Sequence, residues 1–167
     1  NHDVYGLLRA KVLVNPSPRT RLVLTYVHSQ SQMPQTIGVD APFRDRRDDS
    51  VRYGVFQINV DSLTAQARHE LSDNMTATLT LSAGDSSARR LAIPDFGESR
   101  NDGRDWSGDP VFNWAPDGPL RMVAGASHSH VTLKQFINLR LLSGSVGRFS
   151  DWQDGTGIFA DVTYAVA

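Results

Sequence analysis

The chain has 167 residues, a net charge of -1 and a pI near 6.6, with 21% charged and 40% hydrophobic residues. These values fit one folded domain, exclude a disordered tail, and leave no global field that would favour nucleic acid. Cysteine is absent, which excludes disulfide and thiolate metal sites. The sequence has no apolar run of about eighteen residues, so a transmembrane helix is excluded; a membrane barrel, whose strands are only half apolar, is not.

The first predicted strand runs from Val4 to Val14, with Leu8, Ala10, Val12 and Val14 on one face and Arg9 and Lys11 on the other. Asn15-Pro16-Ser17-Pro18 predicts its end, because proline cannot donate to a ladder. A second strand, Arg21 to Gln30, turns Leu22, Leu24 and Tyr26 one way and Arg21, Thr25 and Ser29 the other. Ser31 to Tyr53 reads as a long polar loop that contains Asp45-Arg46-Arg47-Asp48-Asp49. The third strand is Ile58 to Leu71, where Leu63, Ala65, Ala67, His69 and Leu71 alternate with Thr64, Gln66, Arg68 and Glu70.

A tight turn at Ser72-Asp73-Asn74 leads into Met75 to Ala83, the clearest dyad in the chain, with Ala77, Leu79 and Leu81 opposed to threonines and a serine. Gly84 to Asp109 reads as a second long polar loop, followed by a short strand from Val111 to Trp114 and a turn at Ala115-Pro116-Asp117-Gly118-Pro119. Leu120 to Ser129 alternates Leu120, Met122, Ala124 and Ala126 with Arg121, Gly125, Ser127 and Ser129. His130 to Gly155 reads as a third long segment, with Phe136 to Leu142 as a loop strand or short helix. The last strand, Thr156 to Val166, sets Ile158, Ala160, Val162 and Tyr164 against Asp161 and Thr163.

The expected fold is therefore all-β: an antiparallel up-and-down meander of about seven strands, one domain over residues 1–167. Short turns alternate with long connectors, so the turns gather on one rim and the loops on the other, as in an outer-membrane barrel. A soluble β-sandwich binding module, with carbohydrate as a candidate ligand, is the alternative, because sandwich strands alternate in the same way. A glycosidase-like β enzyme is a more distant third. Strands of about nine to eleven residues, the bilayer-crossing length, favour the barrel. So do small apolar faces with Tyr26 and Tyr164 placed for an interface. Seven strands do not close a bacterial barrel, and both ends look cut, so the chain reads as a segment of a larger one.

In that reading Leu22, Leu24, Tyr26, Ala77, Leu79, Leu81, Ala124, Val162 and Tyr164 face lipid, and Arg9, Lys11, Arg68, Glu70, Arg121 and Asp161 face the lumen. His128-Ser129-His130 puts two imidazoles on one side of a strand, which suits a metal, but no carboxylate or cysteine is close in sequence and an outward-facing pair is the plainer reading. His28 and His69 fall on apolar faces as interfacial residues. Asp102-Gly103-Arg104-Asp105 and the Asp45 run do not meet the oxygen order of a calcium loop and read as solvated loops. Trp106, Trp114 and Trp152 stand near loops or strand ends as girdle or loop-packing residues. No nucleophile elbow, zinc-protease motif or phosphate loop is present, so no catalytic residue, metal or cofactor is expected.

Several segments resemble the barrels of TonB-dependent outer-membrane receptors. Gly6 to Pro18 is similar to a strand that leads into a proline-containing periplasmic turn. Leu63 to Leu81 resembles the hairpin built on a Leu-Ser-Asp-Asn turn. Gly118 to Gly125 and Gly157 to Tyr164 are similar to two further strands of that family, although Met122-Val123 stands where a tryptophan is often found. The resemblance covers most of the chain and rests on the order and spacing of its strands. It implies a role in energised uptake of a scarce ligand, such as a ferric siderophore, in the outer membrane of a Gram-negative bacterium. This chain would be barrel wall, and its partners would be outer-membrane lipid, a plug domain, the remaining strands and, through an N-terminal box, TonB. The plug, the box and an aromatic C-terminal strand are not in this sequence.

Overall fold

The computed structural model describes residues 4–34, 41–42, 44, 55–92 and 97–165. They form one seven-stranded antiparallel sheet in which every strand pairs with its neighbours in sequence. The strands are β1 (Val4–Ser17), β2 (Thr20–Pro34), β3 (Val55–Ser72), β4 (Met75–Leu91), β5 (Glu98–Trp114), β6 (Leu120–Leu139) and β7 (Ser145–Tyr164), with a single helical turn, α1 (Arg140–Ser143), before β7. The sheet is open: β1 and β7 are its edges.

The three short connections lie on one rim and are tied to each other. The Arg19 guanidinium meets Asp73 at 2.9 Å, bridging the β1–β2 and β3–β4 turns. The amide of Glu70 donates to the Arg19 carbonyl, that of Ala115 to Asn74, and that of Ala165 to Pro119. Successive hairpins are thereby locked side by side at this rim.

The opposite rim departs from expectation. Most of the expected loop from Gly84 to Asp109 is strand: β4 continues to Leu91 and β5 begins at Glu98. Residues 130–155 are likewise mostly strand, since β6 runs to Leu139 and β7 starts at Ser145. Phe136 to Leu139 is strand and the next residues are the α1 turn, which ends on Gly144 at φ 70, a left-handed position that glycine adopts without steric cost. The expected loop from Ser31 gives way to strand as far as Pro34, and the Asp45-Arg46-Arg47-Asp48-Asp49 run lies outside the described residues. Polarity misled the reading here. Strand propensity depends on the neighbours a residue meets across the ladder, so a polar segment without a clear dyad still forms strand once it is paired.

Two ends also shift. The first strand passes through Pro16 to Ser17, with a register irregularity after Val14. On an edge strand, the amide that proline lacks can be one that would have faced away from the sheet. The last strand ends at Tyr164, and Val166 lies outside the described residues.

No hydrophobic side chain among the described residues is buried. Leu24, Leu79, Leu81, Phe112 and Val162 are all exposed, and no second sheet covers them. Apolar area left in water forfeits about 25 cal/mol per Å², and contiguous patches beyond a few hundred Å² mark an interaction or membrane surface.

Candidate functional surface

Residues directly opposite in an antiparallel pair share a face, and successive residues alternate. The register therefore assigns every strand residue to one of two faces. Leu22 lies opposite Val14 and Ala67, Ala67 opposite Leu79, and Leu24 opposite Val12 and Ala65, with Ala65 opposite Leu81. Ala77 lies opposite Phe112, Phe112 opposite Ala124, and Ala124 opposite Ala160. Tyr26, Val162 and Tyr164 fall on the same face through Leu63, Met122 and Leu120. The nine residues expected to face lipid thus share one continuous face. Arg9, Lys11, Arg68, Glu70, Arg121 and Asp161 all fall on the other, opposite Val27, Thr25, Arg21, Thr76, Thr163 and Val123.

The apolar residues form a belt that crosses the sheet obliquely. On β1 it covers Leu8 to Val14, and on β4 Ala83 to Met75, with Ala83 level with Leu63, Tyr26 and Ala10. On β7 it covers Ile158 to Tyr164, and Ile158, its upper end, is level with Val14, the lower end on β1. From edge to edge the belt slides by the distance from Leu8 to Val14, about one residue per strand. At ~3.3 Å per residue and ~4.8 Å between strands that slope is about 35°. Along β4 the belt is about 26 Å long, or about 22 Å measured across its own width at that slope.

The upper margin of the belt carries linked polar groups. The Tyr26 hydroxyl donates to the Asp61 carboxylate at 2.6 Å, and His28 Nδ1 lies 2.9 Å from the same oxygen. Arg104 Nε donates to Asp85 at 2.8 Å. Trp106 packs between His128 and His130, with ring centroids 5.1 and 6.3 Å away. His130 pairs with Asp154 at 2.5 Å and His128 with Thr156 at 2.9 Å. The two imidazoles therefore do share a face, but among the described residues no group of three His, Cys, Asp or Glu side chains is arranged to hold a metal. At the lower margin His69 meets Thr20 at 2.9 Å, while Trp114 and Tyr164 close β5 and β7.

Above the belt the polarity of the two faces inverts on β3 and β6. On β3 the apolar positions are Leu63, Ala65 and Ala67 below, and Val60, Ile58 and Phe56 above, in the opposite phase. The ladder is continuous through this change, so no bulge re-aims the side chains. On β6, Ala124 and Ala126 give way to Val131, Leu133 and Ile137 in the same manner. The belt face then carries Asp85, Arg104, Asp102, Arg100 and Lys134.

Some expected site residues sit elsewhere than foreseen. Asp102-Gly103-Arg104-Asp105 is strand, not loop. Trp106 and Trp152 are within β5 and β7, away from strand ends, and only Trp114 closes a strand. The Tyr26–Asp61 and His130–Asp154 pairs are not legible in the sequence, because each joins two strands through a register that one strand does not display. The only signal was that all four residues lie near the end of an apolar run.

By fold the chain is an all-β protein built on a single antiparallel meander. No protein-family model matches it, and neither a curated protein nor a solved structure matches it.

Proposed function

We propose that this chain is a stretch of the wall of a transmembrane β-barrel in the outer membrane of a Gram-negative bacterium, within a TonB-dependent receptor that takes up a scarce ligand such as a ferric siderophore. The observation that carries the membrane part is the oblique belt. Strands in membrane barrels tilt by about 35–45° and present an apolar band about 25 Å tall. A belt that slopes by about 35° across the strands becomes level with a flat lipid slab at that tilt. The described residues supply no second sheet that would cover the belt as a sandwich core.

The inversion of polarity supports the same reading. Below the margin the outer face meets lipid and the inner face an aqueous or protein-filled lumen. Above it the outer face meets water. The open edges at β1 and β7 then pair with further strands of the barrel, since unpaired amides and carbonyls in lipid each cost several kcal/mol. The receptor part rests on the resemblance of the strand and turn segments. The role is transport, with no chemistry at the wall.

Single cysteines introduced into this cysteine-free chain test the membrane part. Labelled variants at Ala77, Leu79 and Leu81 should be quenched from within the bilayer, and those at Thr76, Thr78 and Thr80 by a water-soluble quencher. Equal behaviour of the two sets would overturn it. Uptake of a labelled ferric siderophore that needs this protein and stops when the proton gradient is collapsed tests the receptor part.

A further inference from the structure

We propose that the face opposite the belt holds, near the short-turn rim, a site for a small oxyanion that carries two or more carboxylate or phosphate groups. Arg21 and Arg68 lie directly opposite each other on β2 and β3. Both are exposed, and among the described residues neither forms an ion pair. Like charges in that position repel. An anion between them replaces the repulsion with charge-assisted hydrogen bonds to two guanidinium groups, each a planar fork of donors.

The two arginines line one concavity of about 370 Å³ together with Asn15, Arg19 and Glu70. Arg19 is neutralised by Asp73 at 2.9 Å, which leaves Arg21 and Arg68 against Glu70 alone. The hydroxyls of Ser17 and Thr20, also in the lining, are bonded to each other at 2.8 Å. A ligand therefore meets chiefly the guanidinium groups and the Asn15 amide.

Charge is sorted across this whole face. Its strand residues on β1 to β3 include Arg9, Lys11, Arg21 and Arg68 against Glu70. On β5 to β7 they include Asp105, Asp109, Asp151 and Asp161 against Arg121. An anion on this face is drawn toward β1 to β3 and repelled from β5 to β7. Lys11 is level with Thr25, four residues along β2 from Arg21, or about 13 Å, and Arg9 stands one step beyond it. These exposed cations form a column that ends at the Arg21–Arg68 pair.

Position excludes a lipid headgroup. Arg68 is level with Thr78, which adjoins the mid-belt Leu79 but points to the opposite face. With the belt in lipid, the concavity opens on the other side of the wall, toward water. Its placement in a lumen rests on the membrane reading; the anion site itself rests on the register and the charges. The volume lies at the small end of small-molecule sites, which suits a solute of the size of citrate.

The test uses the full chain in lipid nanodiscs, titrated by calorimetry at physiological ionic strength with citrate, pyrophosphate, acetate or a glutamate-rich peptide. Citrate or pyrophosphate should bind at least tenfold more tightly than acetate, and the tighter of the two tells carboxylate from phosphate. Arg21→Gln and Arg68→Gln should each weaken that binding at least tenfold, while Lys134→Gln, on the belt face, should leave it unchanged. Without anion, Arg68→Gln should unfold at no lower urea concentration than the wild type, because it removes a repulsion; a lower midpoint makes the arginines structural and overturns the site. Acetate binding as tight as citrate, or an equal loss in Lys134→Gln, reduces the site to general attraction and overturns it too. Tighter binding of the peptide than of either solute overturns it in favour of an acidic polypeptide segment. A label at Leu79→Cys that stays out of lipid while citrate still binds overturns the membrane reading alone.

Discussion

Tyr26 and Asp61 are joined diagonally across β2 and β3, the tyrosine hydroxyl donating to the carboxylate at 2.6 Å at the line where the apolar belt ends. The tyrosine is the last aromatic of the belt on β2, and the aspartate is the first acid beyond it on β3. A phenol in this place keeps its ring in the apolar layer and its hydroxyl in the wet one. Tyr26→Phe and Asp61→Asn should each lower the urea midpoint of the vesicle-bound protein. The double variant should lose less than the sum, because both changes break one bond; additive losses in the four-way cycle would show that the pair is uncoupled.

Leu79 lies mid-belt and Thr78 beside it points to the opposite face. An arginine at the lipid midplane of a barrel costs about 2–4 kcal/mol, while lumen positions tolerate charge. Leu79→Arg should therefore destabilise the vesicle-bound protein by about that amount, and Thr78→Arg should be close to neutral. Equilibrium unfolding in urea from vesicles reads both. Equal costs would contradict the division into two environments.

The three tryptophans stand at different heights. Trp106 is at the upper margin, Trp114 at the lower end of β5, and Trp152 six residues beyond Ile158 on β7. At ~3.3 Å per residue and the barrel tilt, Trp152 is about 16 Å above the belt. In single-tryptophan variants, brominated lipid should quench Trp106 and Trp114 strongly and Trp152 little. Strong quenching of Trp152 would mean that the belt does not mark the bilayer.

Gly125 is fixed by its neighbours. A Cβ there would come within 2.5 Å of the Phe159 ring and 2.8 Å of the Pro110 carbonyl, one of them backbone that cannot swing aside. Gly125→Val should cost about 1–3 kcal/mol in the same unfolding assay, as overpacking does. Gly118, which has nothing within 4 Å, should accept alanine without measurable loss.

Which residues share a face was legible in the sequence, because a strand has a side-chain period of two and needs no partner to define it. Leu79 with Leu81 and Arg9 with Lys11 were grouped correctly from single strands, and the turns at 73–74 and 115–119 from their Asp, Asn, Pro and Gly content. The upper halves of β4 to β7 were not legible. Gly84, Ser86, Asp102 and Gly155 carry the composition of a loop, and only pairing with a neighbouring strand makes them ladder.

The sequence by itself determined the alternation along each strand and the short turns, since both follow from local backbone geometry. Only the tertiary structure decided how neighbouring strands are staggered. That stagger places Ile158 level with Val14, slopes the belt, and brings Arg21 opposite Arg68 and Tyr26 within reach of Asp61. The physical reason is that register is a property of pairs. A shift of two residues leaves every side chain on its own face and changes only which residue it meets.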